Sequence, residues 1–336
     1  MKFLRIGAIS LLLLGNFTSL HARPATKAVA PHLNTATLFQ RISALAARAK
    51  PGALGVAVMD LSGGPVWAFH GARRFPMQSV FKAPLAAAVL ARVDHGTLSL
   101  NKTVVLRRGD LHGGLIADKF QGDQETFTVR ALLKAAVIDS DNTAADALLR
   151  VIGGPRSVTS YLQAHGLREI RVDRSEQMLA RTIAGVPSSI SLSADDDDAV
   201  RAVPAETRRR ALTAYLRDPR DTATPIGAVQ FLVALKRGKL LSPKSTAMLL
   251  QDMEDVRTGL KRLKAGLPAG ARLAHKTGTS GIFEGLSAAT NDIGLITLPN
   301  GQTLAVAVFL MASPAPEAQR EAVLADVARA AVAAAR

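Results

Sequence analysis

The chain has 336 residues, 48% of them hydrophobic, with no cysteine and a formal net charge of +15. That length and apolar content supply a sizeable core and exclude wholesale disorder, while the missing cysteines exclude disulfides, thiolate catalysis and cysteine-ligated metal. The positive charge is scattered, and two Tyr and one Trp offer little for base stacking, so no nucleic-acid partner is expected.

In chain order, residues 1–22 read as a signal peptide. Lys2 and Arg5 precede the apolar run Ile6–Leu14, and the small Ala22 offers a cleavage point. The run falls short of the roughly 20 apolar residues of a membrane span. Export to the periplasm is expected, with no membrane anchor after cleavage. A Pro/Ala-rich leader, 23–34, follows. Leu38, Ile42, Leu45 and Ala46 then recur at helical spacing from Thr35 to Lys50, and Pro51-Gly52 ends the pattern. Ala53–Asp60 and Pro65–Gly71 read as strands around a Leu61–Gly64 turn. A helical pattern dominates from Ser79 to about Met253. Three strand-like runs close the chain, at Arg272–Ser280, Leu286–Leu298 and Thr303–Ala312, with Pro299-Asn300-Gly301 as the last turn. An alanine-rich helix begins near Pro316.

Strands and a helix at each end thus flank a helical middle. The expected fold is α+β, an antiparallel sheet flanked by helices with an all-helical subdomain inserted. The sheet part would take residues 35–73 and about 255–336, and the helical part about 74–254. A cleft between them is the natural place for a small ligand. Seven histidines show no HExxH or similar spacing, so neither a metal nor another cofactor is expected. Nothing demands more than a monomer.

Three short motifs carry chemistry. In Phe75-Pro76-Met77-Gln78-Ser79-Val80-Phe81-Lys82, Ser79 stands where a helix should begin and Lys82 follows on the same face, which sets an amine beside a hydroxyl. Ser140-Asp141-Asn142 forms a polar turn after an apolar stretch. Lys276-Thr277-Gly278-Thr279 lies in a strand and offers a cation and a hydroxyl to a carboxylate. Each motif alone fits an ordinary helix cap or strand. In this order, 61 and 136 residues apart, they form the combination found in class A β-lactamases and penicillin-binding proteins.

Residues 35–336 resemble the class A β-lactamases, and FPMQSVFK and AHKTGTSG (274–281) resemble their extended-spectrum subgroup. The resemblance implies hydrolysis of β-lactams. Ser79 would be the nucleophile and Lys82 its activating partner, while Ser140 would pass a proton to the ring nitrogen. Asn142 would hold the acylamide, and Lys276 and Thr277 the substrate carboxylate. Gly278 lets substrate lie along the strand, and the N–H groups of Ser79 and Thr279 would form the oxyanion hole. In Val172-Asp173-Arg174-Ser175-Glu176, Glu176 would be the base that activates water for deacylation.

The chain departs from the family in three places. The loop from Glu176 to Asp221 far exceeds the about 6–16 residues of a compact Ω-loop, which implies an insertion at about 180–215. That insertion contains the acidic run Asp195–Asp198, an expected helix Ala205–Leu216 and a rival base, Glu206. Arg174 and Asp221 are expected to pair across its neck. Ala180 stands where the family places an asparagine that helps hold water, and Ile293 where many members carry an arginine. Two alternatives share the Ser/Lys pair: a D-alanyl-D-alanine peptidase or serine esterase, and a β-lactam sensor acylated without turnover.

Overall fold

Both ends of the chain contribute strands to one antiparallel sheet. The computed structural model describes residues 33–187, 200 and 202–335. The expected signal peptide, nearly all of the expected leader and the acidic run Asp195–Asp198 lie outside the described residues.

The elements are α1 (Thr35–Arg48), β1 (Ala53–Asp60), β2 (Trp67–Phe69), β3 (Phe75–Pro76), α2 (Lys82–Asp94), β4 (Thr103–Arg107), α3 (Leu115–Lys119), β5 (Gln124–Thr128), α4 (Val129–Ile138), α5 (Asn142–Val151) and α6 (Pro155–Ala164). There follow α7 (Glu176–Ala184), α8 (Ala205–Tyr215), β6 (Thr222–Ala223), α9 (Pro225–Lys236), α10 (Pro243–Glu254), β7 (Arg272–Thr279), β8 (Ile282–Phe283), β9 (Leu286–Thr297), β10 (Thr303–Ser313) and α11 (Glu317–Ala334).

The main sheet runs β2-β1-β10-β9-β7, with β8 on β9. Successive side chains of a strand point to opposite faces, and β10 shows what that does here. Leu304, Val306, Val308 and Leu310 pack with Leu38, Ile42 and Leu45 of α1 and with Val323, Leu324 and Val327 of α11. Ala305, Ala307 and Phe309 face the other core, beneath α2 and α9. Both faces are covered, so β10 reads as a nearly continuous apolar run, while β9 buries Ser287, Thr290, Asn291 and Asp292 among its apolar residues. Asn34 starts α1 by accepting from Thr37 N at 3.0 Å, and its own N donates to Ala334 O at 2.8 Å.

The middle of the chain is not purely helical. β4 and β5 form a hairpin, pairing Thr103 with Thr128 through Arg107 with Gln124. Val104, Leu106 and Phe127 turn inward from it, while Thr103, Val105 and Arg107 are exposed. This period-two alternation is too short to stand out against the helices around it. β3 and β6 add a two-residue ladder, Phe75 with Ala223 and Pro76 with Thr222, and it decides where the next residues go.

Candidate active site

The ladder of β3 on β6 and a bond from Met77 N to Asp221 O at 3.0 Å bring the chain to Gln78 in a fixed direction. Asn291, buried on β9, donates from Nδ2 to Pro76 O at 2.8 Å and Met77 O at 3.1 Å. Gln78 then turns through a left-handed φ of 49° and donates to Tyr215 Oη at 2.7 Å. Ser79 is not a helix cap. It sits half-buried in a 3-10 turn, Gln78–Phe81, and α2 begins only at Lys82. The turn keeps serine and lysine three residues apart on one side.

Lys82 is fully buried, and a buried ammonium needs partners. Its Nζ donates to Ser140 O and to Asn142 Oδ1, both at 2.6 Å, and lies 2.9 Å from Glu176 Oε1. The same Glu176 oxygen accepts from Ser79 Oγ at 3.2 Å. Ser140 presents its carbonyl to Lys82 because its φ is +60°. Asp141 supplies the cap that follows, accepting from Ala144 N at 2.7 Å and Ile116 N at 2.8 Å. Burial pushes the Asp141 carboxyl up, against those amides and Lys82.

The far wall is β7. Lys276, also fully buried, donates to Ser140 Oγ at 2.9 Å and Thr277 O at 3.1 Å. Burial and the Lys82 cation hold its pKa well below the ordinary lysine range, against the pull of Asp292 and Glu176. Thr277 is buried and shares a hydroxyl hydrogen bond with Thr258 at 2.6 Å. Gly278 has a structural reason beyond an open strand edge: a Cβ there would stand 2.2 Å from Met77 O. Any side chain would push β7 away from the serine turn. Thr279 is exposed, and its hydroxyl accepts from Arg262 Nη2 at 2.7 Å.

Arg262 had no motif to announce it. Its buried guanidinium also donates to Asn291 O at 3.1 Å and Glu321 Oε1 at 3.1 Å. Ile293, on β9, is buried in the core beneath the sheet. Only the approach of the 258–262 segment to β7 reveals Arg262. The positive charge therefore reaches this wall from a neighbouring segment instead of from β9.

Arg174 and Asp221 pair across the loop neck as expected, with Nε and Oδ2 2.5 Å apart and both side chains buried. Asp221 Oδ1 also accepts from Asp173 N at 2.7 Å and Arg174 N at 2.9 Å. The guanidinium lies 5.8 Å over the Tyr215 ring and 3.2 Å from Asp218. Tyr215, Leu212, Leu179 and Ile183 pack with Ala288. The inserted helix α8 is thereby seated between α7 and the β8–β9 hairpin, and Arg208 Nε donates to Glu284 Oε1 at 2.7 Å. Glu206 points elsewhere: it is exposed and pairs with Arg209 and Arg210. Ala180 is exposed on α7.

A model of the β-lactamase enzyme family matches residues 37–335. The extended-spectrum β-lactamase PER-1 of Pseudomonas aeruginosa is 37% identical over 76% of this chain and 74% of its own length. The β-lactamase VEB-1 of the same organism is 32% identical over 84% and 85%. Among solved structures, a β-lactamase from Chitinophaga pinensis superposes with a TM-score of 0.75 at 34% identity, covering 89% of this chain and 99% of that one. A class A β-lactamase of the last common ancestor of Gram-negative bacteria gives 0.72 at 38%, covering 89% and 99%.

Proposed function

The chain belongs to the β-lactamase enzyme family, and on that premise we propose that it hydrolyses β-lactam antibiotics through an acyl-enzyme on Ser79. The observation that carries this reading is the position of Glu176 Oε1, in contact with both Ser79 Oγ and Lys82 Nζ. A peptidase or a non-turnover sensor has no need of that carboxylate.

In acylation, Ser79 Oγ attacks the lactam carbonyl carbon and its proton passes to the Glu176–Lys82 pair. The N–H groups of Ser79 and Thr279 hold the oxyanion. The C–N bond then breaks and the ring nitrogen takes a proton through Ser140 Oγ, which Lys276 holds at 2.9 Å. In deacylation, Glu176 takes a proton from water, the hydroxide attacks the acyl carbon, and Ser79 Oγ leaves and is reprotonated. Asn142 accepts from Lys82 Nζ at its Oδ1, which leaves its N–H groups for the acylamide carbonyl. Lys276, Thr277 and Thr279 bind the substrate carboxylate, and Arg262 orients the Thr279 hydroxyl and adds charge there. The enzyme acts as a monomer in the periplasm, after loss of residues 1–22; none of the described helices is long and apolar enough to cross a membrane.

The test is turnover of benzylpenicillin and nitrocefin, followed by absorbance and by the mass of the protein. Hydrolysis with many turnovers is expected, and Ser79→Ala should abolish both hydrolysis and the covalent adduct. A lasting stoichiometric adduct on the wild-type protein would favour the sensor or peptidase reading.

A further inference from the structure

Glu176 opens α7, and the first amides of a helix have no partner within it. One carboxylate from α5 takes two of them. Asp146 Oδ1 accepts from Glu176 N at 2.7 Å, and Oδ2 accepts from Gln177 N at 3.1 Å. Asp146 is itself buried, and His112 Nε2 stands 3.0 Å from its Oδ2. That approach is out of line for a hydrogen bond, so it acts as an ion pair. The other ring nitrogen, Nδ1, lies 3.0 Å from Asp110 O, and His112 N donates to Thr143 Oγ1 at 3.1 Å.

Both ring nitrogens therefore face oxygens that only accept. A neutral imidazole has one N–H to offer, which would leave its bare nitrogen 3.0 Å from a carbonyl or a carboxylate oxygen. Only the imidazolium suits both sides.

We infer that His112, held as an imidazolium between Asp110 and Asp146, is a positioning residue that fixes Asp146 on the first turn of α7 and so keeps the Glu176 carboxylate on Ser79 and Lys82. The inference rests on Glu176 being the deacylation base.

The surrounding charges agree. Asp146, Glu176 and Asp141 act on His112, while the Asp110 carboxylate is itself engaged by Arg150 at 3.2 Å. Burial would lower the His112 pKa, but Asp146, the Asp110 carbonyl and Glu176 outweigh it and raise it. Burial likewise would raise the Asp146 carboxyl, yet His112 and the two amides hold it down. The folded His112 is thus charged to higher pH than a free histidine, at about 6.5. Its contribution is complete below that value and is lost as pH rises through the raised folded pKa. Deacylation should fall along that alkaline limb.

The test joins NMR on the full-length labelled protein with transient kinetics. The His112 ring nitrogens should report double protonation at about pH 6. The Glu176 and Gln177 amide resonances should shift with the same midpoint as the ring. With nitrocefin, His112→Gln should lower deacylation at about pH 6 by roughly ten- to a hundredfold, as small misplacements of a catalytic group do. It should also flatten the alkaline limb and slow acylation less than deacylation, because Lys82 remains in the pair that takes the Ser79 proton. A neutral His112 at about pH 6, amides that ignore its titration, or a variant with the wild-type deacylation profile would each overturn the inference. If His112→Gln does not fold, the wild-type titration still decides. A wild-type protein that never turns over β-lactams would instead overturn the reading of Glu176, and the amide titration would judge the coupling separately.

Discussion

At the scale of single residues, two carboxylates competed for one role, and their surroundings separate them. Glu176 is buried against an ammonium and a hydroxyl, whereas Glu206 lies in solvent among arginines. Glu176→Gln should acylate and then stall, accumulating an adduct on Ser79 that mass spectrometry detects, because an amide cannot take the proton from water. Glu206→Gln should turn over at the wild-type rate. The opposite pattern would place the base inside the insertion. Ala180 offers a second test. A methyl makes no hydrogen bond to water, so Ala180→Asn should speed deacylation by about tenfold, the worth of one good hydrogen bond at roughly 1.4 kcal/mol. An unchanged deacylation rate would show that another group already holds the water.

At the scale of elements, the described part of the insertion includes a seated helix. α8 buries Leu212 and Tyr215 against α7 and the β8–β9 hairpin, and the Arg174–Asp221 pair closes the neck beneath it. Arg174→Ala leaves the buried Asp221 without its cation, a change that typically costs about 3–5 kcal/mol. Urea unfolding should record a loss of that order. A loss below about 1 kcal/mol would mean that Asp173 N and the other amides hold Asp221 well enough alone. Much of this layer was legible in the residues: α1 shows its helical periodicity plainly, β1, β9 and β10 stand out as strand-like runs bounded by turn residues, and Arg174 and Asp221 stand in recognisable segments. Arg262, Asp146 and His112 were not legible, because each acts through a contact between elements far apart in sequence. The β4–β5 hairpin was missed because strands of five residues carry too few alternations to outweigh the helical pattern on either side.

At the scale of the whole molecule, the first and last helices cover one face of the sheet together. Val323, Leu324 and Val327 of α11 are buried there, and a buried side chain of this kind contributes about 1.5–3 kcal/mol. A chain ending at Ala315 loses these and the alanines between them, a total comparable with the about 5–15 kcal/mol of net stability of a typical domain. It should show no cooperative thermal transition by circular dichroism. A sharp transition would mean that the sheet and the helices of the middle fold without that cover.

Three non-glycine residues around Ser79, namely Gln78, Ser140 and Asp221, have left-handed backbone. Such residues cost on the order of 1–3 kcal/mol each when the surroundings hold them there. The candidate active site thus holds three such residues, the others among the described residues being His70, Glu284 and Ala312. This limits how the enzyme evolves under antibiotic selection. Substitutions that reshape the cleft for new substrates draw on stability that the centre already diminishes, so lineages that acquire them should carry compensating changes elsewhere, in the helix layers and at the sheet's outer face.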